Sequence, residues 1–375
     1  EPRSRGVGDV YKRQPPPNRP VHLLPPGNDT RIRVWARPRP CVHLTERFQV
    51  EARTHAATMD RMNSPDPARV SEEFLSLLNV THVSDGQTTV FEAHSDPHPG
   101  GHVFGGQVMA QALVAMGRTA PEGRRIHSTY AYFLEAADAT EPIRFAVESL
   151  RDGGSFSTRR VLATQGERSI FSMTASFQVN QTGLEHQDRG PDGVPSPDSL
   201  PTTADLLAKV DHPAAQYLAH RRPIDIRHVT APLYYRADAS KASEQMVWIR
   251  SLTPVPAEVE DSNPHVHDAI LAFATDYTPF ESMLRRQGLT WLSPGLRLAT
   301  LNHAIWWHSH ASMNEWLLYV QRSPSASGGR GVTTGHIFRE NGELVVTVTQ
   351  EGMFRAPAHN STPNPDSPRE GTHQS

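Results

Sequence analysis

Asp276, Thr300 and Gln350 are the residues of this 375-residue chain whose types and settings could do chemistry together. Asp276 lies in an apolar run, residues 264–287, that reads as a helix. At about 100° per residue, Val266, Ile270, Phe273, Tyr277, Phe280 and Leu284 share one face, and Asp276 falls inside it. Asp268, Glu281, Arg285 and Arg286 fall outside it, where solvated charges belong. Burying a carboxylate without a partner costs several kcal/mol. Asp276 therefore either reaches solvent or caps a strand at the flank of that face, or it is a general base whose partial desolvation raises its pKa to a useful value. Thr300 opens the strand-like ATLNHAIWW, and Gln350 interrupts VVTVTQEG. Each alone reads as a half-exposed strand residue. Taken with Asp276, they make an acceptor, a hydroxyl and a carboxamide that could hold one water.

A second lead is Gly105-Gly106, which opens the apolar segment 104–116. First-turn N–H groups and the helix dipole suit a developing oxyanion; tight packing against a strand is the alternative. Other chemistry is excluded or discounted. The G-x-S-x-G elbow, H-E-x-x-H and the P-loop are absent, and Gly329, Gly331 and Gly335 have the wrong spacing for a dinucleotide fingerprint. His94, His98 and His102 would align on a helix, but Pro97, Pro99, Gly100 and Gly101 forbid one, so no metal and no other cofactor is expected. His303 and His308, beside Trp306 and Trp307, read as core or pocket-wall residues. The only cysteine, Cys41, supplies neither a disulfide framework nor a thiolate metal site.

These residues need elements to carry them, and the chain writes those elements twice. A run opened by His127 passes through the turn Arg151-Asp152-Gly153-Gly154 into RRVLATQGERSIFSMTASFQ. A run opened by His303 passes through Ser327-Gly328-Gly329-Arg330 into GHIFRENGELVVTVTQEG. The two lie about 175 residues apart. Strands are expected near 127–134, 142–151, 155–165 and 169–179, and again near 298–307, 315–322, 330–339 and 343–354, with shorter ones near 88–91, 224–229 and 247–250. A long apolar helix precedes each set, which is an α+β pattern in which each sheet curls around its helix. In this matching Leu113 stands where the second copy has Asp276, and Ser176 where it has Gln350, so the chemistry sits in one copy only.

The expected organisation is a leader, 1–66; a first domain, 67–180; a Pro- and Asp-rich connector, 181–223, with one or two short helices; a second domain, 224–356; and a polar tail, 357–375. Residues 1–58 hold nine prolines and eleven Lys/Arg against five Asp/Glu. They read as disordered, with Met59 or Met62 as the natural start. The remaining chain carries a net charge near -9, which gives no case for nucleic acid. No apolar stretch is long enough for a membrane span. The reading is of a soluble, cytoplasmic protein.

The chain resembles the acyl-CoA thioesterase II family. The resemblance rests on VFGGQVMAQAL (103–113), HSTYAYFL (127–134), LRDGGSFSTRRV (150–161), FSMTASFQ (171–178), RPIDIRHV (222–229), VWIRS (247–251), ATLNH (299–303), NEWLLY (314–319) and VTQEGMFR (348–355). It covers about residues 70–355 and implies a double hotdog, two tandem repeats each with a long helix wrapped by a curved antiparallel sheet. It further implies hydrolysis of acyl-CoA to free acid and CoA-SH, a catalytic trio on Asp276, Thr300 and Gln350, and a homodimer or homotetramer. Tyr277 and the charged TPFESMLRR depart from the family pattern, which bears on acyl-chain preference. Enoyl-CoA hydration or dehydration, with His303 recruited, and non-catalytic acyl-CoA binding are the alternatives.

Overall fold

Asp66 caps the first described helix, although the sequence reading placed it in the leader. Its side chain accepts from the Ala68 amide and caps helix α1, Pro67–Leu77, with Pro67 in the first turn, where a missing N–H costs nothing. The computed structural model describes residues 65–84, 88–96 and 101–356. The rest of the expected leader, with Cys41, Met59 and Met62, the tail 357–375, and His98 lie outside the described residues.

The elements then run β1 (Thr81–Ser84), β2 (Thr89–Ala93), α2 (Gly105–Gly117), β3 (Arg124–Phe133), β4 (Ile143–Asp152), β5 (Phe156–Gln165) and β6 (Arg168–Val179). The connector holds α3 (Thr203–Leu207) and α4 (Pro213–His220). The second copy follows as β7 (Ile224–His228), β8 (Glu244–Ser251), α5 (Ala257–Ser262), α6 (Val266–Ala274), α7 (Pro279–Gln287), β9 (Arg297–Trp307), β10 (Leu317–Ser327), β11 (Arg330–Arg339) and β12 (Leu344–Arg355). Strands β1 and helix α5 went unread in the sequence; both are short and lack a buried stripe.

All twelve strands form one sheet, in the order β1-β2-β4-β5-β6-β3-β9-β12-β11-β10-β8-β7. Reading outward from the β3–β9 junction, each half repeats the same order, so the two copies face each other across a local two-fold. The junction is antiparallel, with Tyr130 opposite Ala304. The β-strands alternate as their sequences require. In β4, for example, Ile143, Phe145 and Val147 are buried and Arg144 is exposed.

Helices α2 and α6 pack on each other on one side of the sheet and form the core. Every residue from Gly106 to Met116 is buried. Met109, Leu113, Val114 and Met116 are fully so, each contributing roughly 1.5–3 kcal/mol. Leu113 therefore does what its sequence match suggested. Among the described residues no helix is long and apolar enough to cross a membrane.

Candidate functional site

The apolar run 264–287 is not one helix. It breaks at Thr275–Thr278, and Asp276 sits in the break. Pro279 is the cause. It cannot donate to the carbonyl four residues back, and its ring crowds that carbonyl, so it ends α6 and opens α7 in the first turn. The consequence is chemical. A carboxylate at the negative end of α6 finds no help from that helix, and it must be held from elsewhere.

It is held from three elements. Thr300 Oγ1, on β9, donates to Asp276 Oδ1 at 3.0 Å. Gln350 Nε2, on β12, donates to Thr300 Oγ1 at 3.0 Å. The Gly106 N–H, at the start of α2, and the Gln350 side chain also lie near enough to the carboxylate to favour its charged form. The three residues singled out in the sequence are thus brought together. Asp276 is only 7% exposed. Burial pushes its carboxyl up to about 7, against the pull of Thr300, Gly106 and Gln350. A carboxyl at that value is half ionised near neutral pH, which is where a general base is most effective.

Gly105 and Gly106, expected as oxyanion donors, both lie against Asp276, and the Gly106 N–H favours its carboxylate. The Gly106 backbone also lies so close to α6 that an added Cβ would meet Phe273 O at 2.6 Å. At Gly105 a Cβ would meet Asp276 Oδ2 at 2.7 Å and the Phe133 ring at 3.0 Å. Glycine is required at both positions for space, and the positive end of α2 supplies the donor that α6 cannot.

His303, adjacent on β9, is 1% exposed, and its Nε2 lies 3.2 Å from Thr275 Oγ1. Burial drives the imidazole down to about 4, with Gln350 opposing, so the ring is neutral at physiological pH. Gln350 Oε1 and His303 Nδ1 are both buried with no partner within hydrogen-bonding distance among the described residues. His308, by contrast, is exposed and contacts Thr347 Oγ1 at 2.8 Å, so it is neither core nor pocket wall.

A β-bulge explains why Thr300 and His303, three residues apart on a strand, face the same helices. Thr300 pairs with Gly352 and Asn302 with Glu351, which leaves Leu301 as the extra residue. The first copy bulges at the same place: Ile126 pairs with Phe177 and Ser128 with Ser176, leaving His127 over. The sequence matching of His127 to His303 and of Ser176 to Gln350 was therefore out of register. By the ladder, Ile126 corresponds to Thr300, Thr129 to His303 and Ala175 to Gln350. Ser176 lies on the other face, where its Oγ is 2.8 Å from His127 Nε2. A one-residue slip moves a strand's side chains to the opposite face, and periodicity alone cannot reveal a bulge.

Three of the charges read as solvated are buried: Asp268 at 3%, Glu281 at 2% and Arg285 at 1%. Periodicity identified the helix face toward the sheet but not what covers the opposite one. Segment 229–245 and Trp291 do so. Glu281 accepts from Gln245 Nε2 at 2.6 Å and from Trp291 Nε1 at 3.1 Å, and Arg285 pairs with Asp238 and Gln245. Glu281 and Arg285 thereby meet partners that burial demands, while Asp268 lies 3.5 Å from His265 Nδ1. Arg286 stays exposed. No group of three or more His, Cys, Asp or Glu poised to hold a metal exists among the described residues.

Comparison with known proteins agrees in both halves. Residues 94–178 match the model for the acyl-CoA thioesterase N-terminal domain, and residues 193–354 that for the C-terminal domain. Acyl-CoA thioesterase 2 of Haemophilus influenzae is 34% identical over 291 residues, covering 76% of this chain and 98% of that protein. Acyl-coenzyme A thioesterase 8 of Mus musculus is 34% identical over 274 residues, covering 68% of this chain and 80% of that one. The crystal structure of acyl-CoA thioesterase II TesB2 from Mycobacterium marinum superposes with a TM-score of 0.60 at 38% identity, covering 76% of this chain and 99% of that one. With the duplicated sheet, the two central helices and both halves matched in order, the chain belongs to the acyl-CoA thioesterase family and has its double hotdog fold.

Proposed function

We propose that this protein hydrolyses acyl-CoA thioesters to the free acid and CoA-SH, with Asp276 as general base for a water held by Asp276, Thr300 and Gln350. The observation that carries this is the directed chain of donors, Gln350 to Thr300 to Asp276, ending on a buried carboxylate of near-neutral pKa. Proton counting supports the roles. The Thr300 hydroxyl spends its one hydrogen on Asp276 and its oxygen accepts from Gln350. Gln350 Oε1, which makes no direct hydrogen bond and lies near the His303 ring, is the acceptor offered to the water. As the water oxygen bonds to the thioester carbon, Asp276 takes its proton. The C–S bond then breaks and the sulfur leaves as thiolate, to be protonated as CoA-SH. Gly105, whose missing side chain leaves room beside Asp276 and Phe133, is the candidate backbone donor for the carbonyl oxygen. Positioned base assistance contributes roughly 10²–10⁴-fold.

The hydratase reading needs a His–Asp pair on the substrate. His303 turns its Nε2 to Thr275, and its pKa is depressed by burial, so that pair is not formed. The deciding measurement is thiol release from acyl-CoA by the purified protein, with the enoyl absorbance followed in parallel. The expected result is stoichiometric CoA-SH and fatty acid. An absorbance change without thiol would replace thioesterase by hydratase, and tight binding with neither would leave an acyl-CoA-binding protein.

A further inference from the structure

Asp276 is one of the four residues in the break between α6 and α7, and its three companions are each tied to a different element. Thr275 Oγ1 meets His303 Nε2 of β9 at 3.2 Å. The Tyr277 ring stacks on Phe104, the N-cap of α2, with centroids 4.6 Å apart. Thr278 Oγ1 accepts from Gln321 Nε2 of β10 at 2.7 Å. The last tie is the unexpected one. Thr278 is the N-cap of α7, where a threonine hydroxyl ordinarily accepts from the first free N–H groups of the helix. Here it makes no such bond, and faces a strand instead.

Gln321 is itself out of keeping with its surroundings. It is fully buried, and its Oε1 has no partner within hydrogen-bonding distance among the described residues. A half-satisfied carboxamide is unfavourable in a core. The first copy shows what the fold alone asks for at this point. The ladders carry the equivalence of Gln350 and Ala175 outward to Thr333 and Arg159, then to Gly335 and Val161, and so to Gln321 and Val147. Two residues along the same strands, Tyr319 matches Phe145, both buried aromatics, which supports the register. Val147 is also buried, so an apolar side chain serves the scaffold here. The brace one strand inward, by contrast, exists in both copies. Thr333 Oγ1 donates to Pro279 O beyond α6, and Arg159 Nη2 donates to Thr119 O beyond α2, each at 2.8 Å. Bracing the chain past a central helix belongs to the scaffold. The carboxamide at 321 belongs to the copy that has a carboxylate to aim.

We infer that Gln321 is a positioning residue for thioester hydrolysis: through Thr278 it holds the break so that the Asp276 carboxylate stays against Thr300 and the start of α2. The inference rests on the thioesterase reading above and extends its machinery to a residue two strands away from Gln350. Without the bond, residues 275–278 gain freedom and water reaches the carboxylate. A displacement on the order of 1 Å at a reacting group costs up to about 10²-fold in rate.

The test is Gln321→Met, which keeps the length of the side chain and deletes both the donor and the unpartnered oxygen. Its melting temperature should be unchanged or higher, while kcat for thiol release from acyl-CoA falls about 10–10²-fold with KM near wild type. The pH midpoint of kcat/KM should also move to lower pH, because water around the carboxylate favours its charged form. The other titratable groups around Asp276 are Tyr277, Tyr319 and His303, all neutral near pH 7, so the midpoint reports the carboxylate. Thr278→Val removes the same bond from its other end and should reproduce both kinetic changes, so a folding defect in one variant leaves the other decisive. The double variant should lose no more than either single. Wild-type kcat and midpoint in a folded variant overturn the inference. So does a loss of kcat that comes with a lower melting temperature and an unmoved midpoint, which would make Gln321 a packing residue. If wild type releases no thiol from any acyl-CoA, the thioesterase reading itself fails, and that outcome is distinct from a normal enzyme indifferent to position 321.

Discussion

At the same register points of the same bulged strand pair, the two copies carry opposite chemistry. The first presents Ile126, Thr129 and Ala175 to the helices; the second presents Thr300, His303 and Gln350. The first lays Leu113 into a dry core, while the second breaks its helix at Pro279 and offers Asp276. Yet the second copy's carboxylate does not stand on its own half alone, because Gly105 and Gly106 of the first copy lie against it, Gly105 so closely that an added Cβ would meet Asp276 Oδ2 at 2.7 Å. Duplication has let one half specialise in packing and in donating a helix N-terminus, and the other in polar chemistry. Two identical halves would have to do both at each site.

The largest expected effect breaks the second copy's contribution outright. Asp276→Asn keeps the shape and the Thr300 contact but cannot take a proton, so kcat should fall about 10²–10⁴-fold with KM near wild type. Steady-state thiol release on the folded variant checks this; wild-type turnover would remove Asp276 as the base. Gln350→Ala and Thr300→Val should each cost about 10–10²-fold, the kinetic equivalent of one hydrogen bond to a charged or charging group at 1.5–3 kcal/mol. Because the donors act in series, the double variant should lose far less than the product of the singles. Strict multiplication of the two losses would show that they act separately.

A smaller effect sharpens the comparison at one register point. His303→Ala removes the neutral ring that packs behind Gln350 and binds Thr275, and should lower kcat about tenfold by loosening the carboxamide. His303→Gln, which can still reach Thr275, should restore part of it. Thr129→Val, at the matching place in the first copy, should leave kcat within about twofold. It also deletes a buried hydroxyl without a hydrogen-bond partner among the described residues, a change that is neutral or stabilising. Comparable kinetic losses at 303 and 129 would mean the two halves differ less than their side chains suggest.

How much of this was legible in the sequence depends on what each feature rests on. Eleven of the twelve described strands, the duplication, and the meeting of Asp276, Thr300 and Gln350 could be read, because alternation, glycine turns and an acid on a greasy face are local signals. What escaped depended on the tertiary fold. Pro279 stood in plain view inside TPFESMLRR, and read as a breaker it would have split the helix and freed Asp276 from a helical position. The bulge left no mark at Leu301, an ordinary strand residue, so Ser176, on the opposite face, was matched to Gln350 in place of Ala175. Glu281 and Arg285 were read as solvated because the loop that covers them comes from residues some forty positions earlier. Gly106 was read as a donor for substrate, and that its N–H also favours the Asp276 carboxylate depends on how α2 packs against the end of α6.

The finest test is the pH dependence, where rate and stability should move in opposite directions. The base must be ionised, and burial holds its pKa up at about 7, so kcat/KM should rise with pH through one ionisation near that value and level off above it. Stability follows from the same shift. The folded protein keeps the Asp276 proton at pH values where the unfolded chain, near the ordinary 3.8, has released it. Between those two values the native state binds more protons, and the wild type loses stability as pH rises, with no further loss from this group above the folded pKa. Each tenfold in proton affinity corresponds to about 1.4 kcal/mol. Asp276→Asn has no charge to bury and escapes this loss. Its melting temperature relative to wild type should therefore be higher at pH 8 than at pH 4. The corresponding difference for Thr129→Val should not change with pH, since the first copy titrates nothing at that point. A pH-independent difference for Asp276→Asn would place the carboxylate in water, and with it would go the reason for the donors from both copies to converge there.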